Sequence, residues 1–392
     1  MTAVSLPEPG AEARAASAAL VEVIAAEIAG RGGFMSFARF MELALYAPGL
    51  GYYSGGAHKF GDFAAGGDFV TAPEISPLFG GALARQVAQV LGASRPRVLE
   101  VGAGSGRLAA DLLPALDALG ALPERYAILE LSGTLRARQQ ATLAADAPAY
   151  LARVEWLDQL PESLEGCVLG NELLDAMPTH QVLWTPDGLR EGGVAWRDGR
   201  LTAADAPVKP ALADAARAFD IQPPYRGEIA LAVRAWVAEM ARRLTHGALL
   251  LIDYGLPRHE LYHPARDGGT LRCHYRHGVH DDPFWYPGLS DITSHVDFTA
   301  VAEAAHDAGL RVAGYTTQAM FLMNCGLGEL LANDSGGGTA PAVPYARQRA
   351  HGAVQRLVAP HEMGELFKVI AATRGIDAPL VGFARGDRTH AL

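Results

Sequence analysis

Cysteine is nearly absent. Cys167, Cys273 and Cys325 stand far apart with no Cys-x-x-Cys pair, which excludes a disulfide framework and reads as a reducing compartment. Long apolar runs are missing too. Nothing approaches the roughly 20 consecutive apolar residues that span a bilayer, so membrane insertion is not expected. Lysine is scarce and no basic stripe is present. With 43 acidic against 33 basic side chains and a net charge of -10, nucleic acid is not an expected partner. A cationic protein substrate suits that charge best, and a homodimer is allowed. The N-terminus lacks a basic segment followed by an apolar one, and Glu8, Glu12, Glu22 and Glu27 argue against a transit peptide. The expected location is the cytoplasm, or the mitochondrial matrix for a eukaryotic chain. No fixed-period repeat, nucleophile elbow, Walker lysine loop or His-Glu-x-x-His motif occurs.

What is present is ample material for a core: 392 residues, 49% of them apolar, with 44 glycines and 24 prolines dispersed along the chain. Residues 1–16 read as a loose tail. From Ser17, the residues Leu20, Ile24 and Ile28 recur at helical spacing until Gly30, and a second helix is expected from about Ser36. Residues 49–67 are rich in glycine and aromatics and too irregular for a helix. From residue 96 short buried strands alternate with helices. Strands are expected at 96–101, 125–131, 154–157, 166–170 and 247–255, with closing strands at 310–316 and 367–373. Leu108, Leu112, Leu116 and Leu119 share one helical face, and a polar helix is expected near 133–145. This alternation predicts an α/β fold with a mostly parallel, doubly wound, Rossmann-like sheet. Residues 1–90 are expected to form an N-terminal helical cap and covering loop, and 91–392 the core. Insertions at about 182–235, opening with antiparallel hairpins over 182–205, and at 256–298 interrupt it. Cap and insertions together are expected to make a lid and substrate cleft.

The turn Gly102-Ala103-Gly104-Ser105-Gly106 follows a strand and opens a helix, the arrangement that holds an extended nucleotide-like cofactor. A dinucleotide fingerprint needs glycine at position 107, where this chain has Arg107. Glu100, just before the turn, suits a cofactor carrying an ammonium and a sulfonium better than one carrying pyrophosphate. Glu130 ends the next strand, the position from which a carboxylate accepts both ribose hydroxyls. Gly102, Gly104, Gly106, Glu100 and Glu130 are thus expected to bind S-adenosylmethionine. The alternative is a glycine turn that merely joins strand to helix.

Five stretches resemble the MidA-like methyltransferases, a family that includes a mitochondrial respiratory complex I assembly factor. They are Gly67-Asp-Phe-Val-Thr-Ala-Pro-Glu-Ile-Ser76, Leu99-Glu-Val-Gly-Ala-Gly-Ser-Gly106, Gly170-Asn-Glu-Leu-Leu-Asp-Ala-Met-Pro178, Ile252-Asp-Tyr-Gly255 and Asp291-Ile-Thr-Ser-His-Val-Asp-Phe298. The resemblance implies a class I methyltransferase fold and a protein-arginine acceptor. It also implies that the segment with Thr71 and Glu74 lies over the cofactor.

An arginine acceptor has a pKa near or above ~12 and needs carboxylates to orient it. Asn171-Glu172-Leu-Leu-Asp175 supplies two, which share a side if this turn is helical. Glu172 is expected to grip the acceptor and Asp175 to assist; a solvated or capping pair is the alternative. Asn171 is expected at the cofactor's methionine end or as a turn-former. Glu74 is a third candidate carboxylate, unless Thr71-Ala-Pro-Glu74 only leads into a helix capped by Thr71 or Ser76. His295 either takes up the released proton or is a structural histidine paired with Asp291 or Asp297. Asp158 either reaches an adenine amino group or is a surface acid. Cys273, His274, His277 and His280 do not match paired zinc-ligand spacing, so no metal is expected.

Overall fold

A computed structural model of the chain describes residues 6–55, 71–334 and 344–392. The chain divides into two compact units. One comprises Met1–Phe69, Leu174–Ala235 and Leu256–Asp297; the other comprises Val70–Leu173, Trp236–Gly255 and Phe298–Leu392. The helix Pro77–Ala93, counted with the N-terminal cap from sequence, therefore belongs with the second unit.

The second unit carries the main sheet. Its strands are β1 (Arg97–Val101), β2 (Arg125–Leu129), β3 (Val154–Leu157), β4 (Leu164–Asn171), β5 (Leu244–Leu256), β6 (Arg311–Thr317) and β7 (Phe367–Arg374). They run in the order β6-β7-β5-β4-β1-β2-β3. β5, β4, β1, β2 and β3 run parallel to one another, whereas β7 is antiparallel to both β5 and β6. Central strands of such a sheet are covered on both faces, which explains their near-continuous apolar runs. In β5 every residue from Gly247 to Asp253 is buried.

Between the strands lie the helices Arg107–Ala118 and Gly133–Asp146, with Pro77–Ala93 preceding β1. Leu108, Leu112, Leu113 and Leu116 fill the same core as Phe79, Leu83, Val98, Tyr126 and Leu250. Leu119 departs from expectation: it follows the helix end and is 47% exposed. Ser76 caps the Pro77–Ala93 helix by accepting from the Leu78 N–H at 3.2 Å.

In the first unit, the opening helix spans Ala11–Gly30, so residues 11–16 are not a tail. The apolar period begins at Ser17, but Ala11 to Ala16 are strong helix formers that extend the helix backward. Ser36 caps Phe37–Tyr46, and Met35–Ser36 adds a short strand that the sequence pattern concealed. The hairpins expected near 182–205 are present as strands His180–Thr185, Gly188–Arg197 and Arg200–Pro207. Strand Tyr225–Ile229 pairs with the first of these. A smaller sheet joins Arg272–Tyr275, Gly278–His280 and Asp291–Thr293. The expected irregular stretch beyond residue 55, and Gly67 to Val70, lie outside the described residues.

Gly166, at the start of β4, has φ of +108°, and a Cβ there would sit 2.1 Å from the Arg97 carbonyl oxygen. Gly188 has φ of +119° with nothing within 4 Å. Gly166→Ala is expected to cost more than about 2 kcal/mol, combining backbone strain with overpacking. Gly188→Ala should cost only about 1 kcal/mol. Denaturant midpoints of the two variants check this; equal losses would contradict it.

Candidate active site

The carboxyl ends of β1, β2 and β4 lie along one edge of the parallel sheet, where ligands of open α/β sheets bind. After β1, Gly102, Gly104 and Gly106 have φ of +72°, +53° and +83°, conformations that strongly favour glycine. A Cβ on Gly106 would come within 3.0 Å of Gln139, and one on Gly102 within 3.0 Å of Leu173. Arg107, which closes off the dinucleotide pattern, pairs with Asp111 at 2.7 Å and Asp146 at 2.6 Å.

Glu130 sits just beyond β2 and is buried. Its Oε1 accepts from the Ser132 N–H at 2.8 Å and its Oε2 from Gln139 Nε2 at 2.9 Å. Gln139 Nε2 also donates to the Gly104 carbonyl at 3.1 Å, and its Oε1 accepts from Trp156 Nε1 at 3.0 Å. One glutamine thereby fixes the glycine turn, Glu130 and β3 together. Burial raises the Glu130 pKa, while the Ser132 and Gln139 donors act the other way. The next residue, Leu131, is 78% exposed, a large apolar side chain beside a carboxylate. Asp158 is 84% exposed and pairs with Arg136 at 2.7 Å; Arg136 also donates to the Glu130 carbonyl.

Glu100 is 3% exposed, and its Oε2 accepts from the Tyr126 hydroxyl at 2.7 Å. Burial pushes its pKa up to about 7, against the opposing effect of that hydrogen bond. Its carboxyl is held among core residues rather than displayed on the surface.

After β4 the chain does not continue as a helix. Glu172 takes φ of +51°, so Glu172 and Asp175 do not share a helical side as expected, and they fall in different compact units. A left-handed non-glycine residue costs on the order of 1–2 kcal/mol and persists only where its surroundings impose it. Here the Glu172 N–H donates to the Ile252 carbonyl at 2.8 Å. The Glu172 Oε1 accepts from the Ala72 N–H at 3.2 Å and from Asn171 Nδ2 at 3.1 Å. Asn171 Oδ1 is buried without a hydrogen-bond partner among the described residues. Glu74, in the single helical turn Ala72–Ile75, accepts from Ser105 Oγ of the glycine turn. Thr71 stands at the N-cap of that turn without a side-chain capping bond. Glu74, Glu172, Asn171 and the glycine turn are thus brought together within one unit.

Asp175 and His295 belong to the other unit. The Asp175 carbonyl accepts from the Ser294 N–H at 3.1 Å, and the His295 N–H donates to Thr270 Oγ1 at 3.1 Å. Asp291 accepts from the Tyr53 hydroxyl at 2.9 Å, and Asp297 pairs with Arg258 at 3.1 Å. Burial, Asp291, Tyr46 and Asp175, in that order, raise the Tyr53 pKa. Sequence reasoning passed over Tyr53 because it lies in an irregular aromatic stretch, and Gln139 because it looks like one polar residue on a polar helix. Among the described residues no group of three or more His, Cys, Asp or Glu side chains is placed to hold a metal. The Cys273 thiol is pushed up to about 12 by burial and His274 is pushed down, both by desolvation first. No helix among the described residues is long and apolar enough to cross a membrane.

Comparison with known proteins bears on this geometry. Residues 82–316 match the model of a family described as S-adenosyl-L-methionine-dependent methyltransferases. The mitochondrial protein arginine methyltransferase NDUFAF7 of Mus musculus is 30% identical over 375 residues, covering 86% of this chain and 81% of that protein. The chain belongs to the MidA-like methyltransferase family. The Drosophila melanogaster homologue of NDUFAF7 is 28% identical over 423 residues, covering 96% of this chain and 91% of that protein. A crystal structure of a Burkholderia thailandensis protein bound to S-adenosyl-homocysteine is 52% identical, with a TM-score of 0.95 over 99% of this chain and all of that one. The fold is that of a class I methyltransferase and the cofactor is S-adenosyl-L-methionine.

The residues present fit that cofactor. The glycine turn offers close backbone approach, the buried Glu130 carboxylate suits a ribose diol, and the unpartnered Asn171 Oδ1 suits an ammonium donor. We propose Gly102, Gly104, Gly106, Glu130 and Asn171 as the holding set. Thr71, Asp158 and Glu100 complete the proposed set. When bound, the cofactor supplies an electrophilic methyl group on a sulfonium.

Glu130→Ala is expected to weaken S-adenosyl-homocysteine binding about 10- to 100-fold, the loss of a charge-assisted pair of hydrogen bonds. Calorimetric titration checks it, and unchanged affinity would remove Glu130 from the set. Glu100 yields a pH prediction. Its folded pKa lies above its unfolded value of 4.5, so the folded state holds the extra proton and loses stability as pH rises from about 4.5 to about 7. Glu100→Gln does not titrate. Its stability relative to wild type should therefore improve by up to about 3 kcal/mol between pH 5 and pH 8, read from urea unfolding at each pH. A gap that stays constant with pH would contradict the burial of the carboxyl.

Proposed function

We propose that this methyltransferase acts on an arginine of a partner protein, with Glu172 as the carboxylate that receives the guanidinium. The observation that carries this reading is the strained turn. A glutamate is held left-handed at the sheet's carboxyl edge, next to the glycine turn, and strain of this kind clusters at functional sites. A carboxylate there pairs with a guanidinium in a fork geometry, localises its charge on one nitrogen and presents the other to the methyl donor. The nitrogen that gains the methyl group gives up one proton, and the Glu172 carboxylate beside it is our proposed recipient. Glu74 holds the glycine turn through Ser105 and steadies the cofactor side. The net charge of -10 favours a cationic acceptor. The names of the mouse and fly relatives, protein arginine methyltransferases at 28 to 30% identity, support the same class. We place the activity in the cytoplasm of a bacterial cell, or in the mitochondrial matrix of a eukaryotic one.

The test is transfer of tritiated methyl from S-adenosylmethionine into an extract of cells lacking the gene, followed by acid hydrolysis and amino-acid analysis. Label in methylarginine is expected. Glu172→Gln should slow that transfer about 10- to 100-fold while leaving S-adenosyl-homocysteine affinity within about threefold, the signature of a lost charge-assisted contact to the acceptor. Label in RNA or in small molecules would move the reading to those acceptors. Intact cofactor binding without any transfer would instead favour an assembly factor that uses the cofactor without turnover.

A further inference from the structure

Asp253 is 0% exposed at the carboxyl end of β5, a buried acid with no part in the cofactor set described above. Both of its oxygens are engaged by backbone donors. Oδ1 accepts from the Tyr254 N–H at 2.9 Å, and Oδ2 accepts from the Leu173 N–H at 3.1 Å. Leu173 directly follows Glu172, whose own N–H donates to the Ile252 carbonyl at 2.8 Å. Two consecutive N–H groups of the Glu172 turn are therefore caught by two consecutive residues of β5, one through its carbonyl and one through its side chain. The backbone ladder explains the first catch, because Ile252 lies opposite Asn171 in the parallel register. It does not explain the second. Once Glu172 turns left-handed the chain leaves the ladder, and the next N–H takes its acceptor from a side chain.

The geometry points to Asp253 as a positioning residue: its carboxyl clamps Leu173 and so imposes the left-handed turn that aims Glu172 at the acceptor. The inference rests on the acceptor role proposed for Glu172. Asparagine cannot replace the aspartate here. One amide oxygen can accept one N–H, but the amide NH2 would then face the other N–H, donor against donor. Serine offers a single acceptor and a shorter reach.

The experiment uses the full chain as wild type, Asp253→Asn, Glu172→Gln and the double variant. The readouts are calorimetric affinity for S-adenosyl-homocysteine, tritiated methyl transfer into protein of the extract from cells lacking the gene, and hydrogen exchange at the Leu173 amide. Asp253→Asn is expected to keep cofactor affinity within threefold, lose at least tenfold in transfer, and exchange the Leu173 amide at least tenfold faster. The double variant is expected within twofold of Glu172→Gln alone, because a residue acting through Glu172 has nothing left to act on. A purely structural role would instead multiply the two losses. Multiplied losses, wild-type transfer in Asp253→Asn, or unchanged Leu173 exchange would each overturn the inference. If the wild-type protein transfers no methyl to protein, the acceptor role of Glu172 fails and this inference falls with it. The Leu173 exchange would still report separately whether the clamp exists. Should Asp253→Asn fail to fold, Asp253→Ser takes its place with the same expected directions.

Discussion

Parallel pairing of β1, β4 and β5 is the constraint on which the candidate site depends. Val98 to Val101 align with Cys167 to Gly170, and those with Ala248 to Leu251, so three buried strands finish at one edge. Each must then leave the sheet without stranding its backbone donors. β1 leaves through glycines in left-handed conformations, and β4 leaves through Glu172 in the same region of backbone space. A parallel sheet thus gathers its least ordinary turns on the side where a ligand binds.

Polar groups at that edge are few and tightly shared. Gln139 contacts Gly104, Glu130 and Trp156 at once, and the short turn Ala72–Ile75 touches both the glycine turn, through Glu74, and the Glu172 carboxyl, through its first N–H. Each of these bonds adds only about 1 kcal/mol on balance, but leaving one buried partner unmet costs more. The arrangement therefore resists partial loss, which suits a site that must hold a cofactor in one orientation. Glu100 runs against this economy. Its carboxyl is buried with Tyr126 as the partner shown, and the folded chain bears the desolvation.

Much of this was legible in the residues. Continuous runs such as Gly247 to Asp253 announced buried parallel strands, and the glycine turn followed by a leucine-faced helix announced the strand-turn-helix joint after β1. Glu130 was readable because a strand end fixes where a side chain emerges. The misreadings have separate causes. Residues 11–16 carry helix-forming composition without an apolar period, so a reading based on period stopped at Ser17. Leu119 continued the period but lay past the helix end. Glu172 and Asp175 have helical spacing, yet the chain between them turns, because β5 supplies acceptors that local sequence does not display.

By itself, the sequence determined the alternation of strand and helix, the glycine turn and the identity of the acids that follow β2, β3 and β4. Those depend on local propensity and on burial periods that a chain carries in its own residues. The tertiary structure alone decided that Gln139 would tie the glycine turn to Glu130, that Glu100 would face Tyr126 and that Asp253 would catch Leu173 across 80 positions of chain. Such contacts arise when strands distant in sequence are set side by side. Which polar atom meets which is then fixed by register, a property of the pair of strands that neither strand contains.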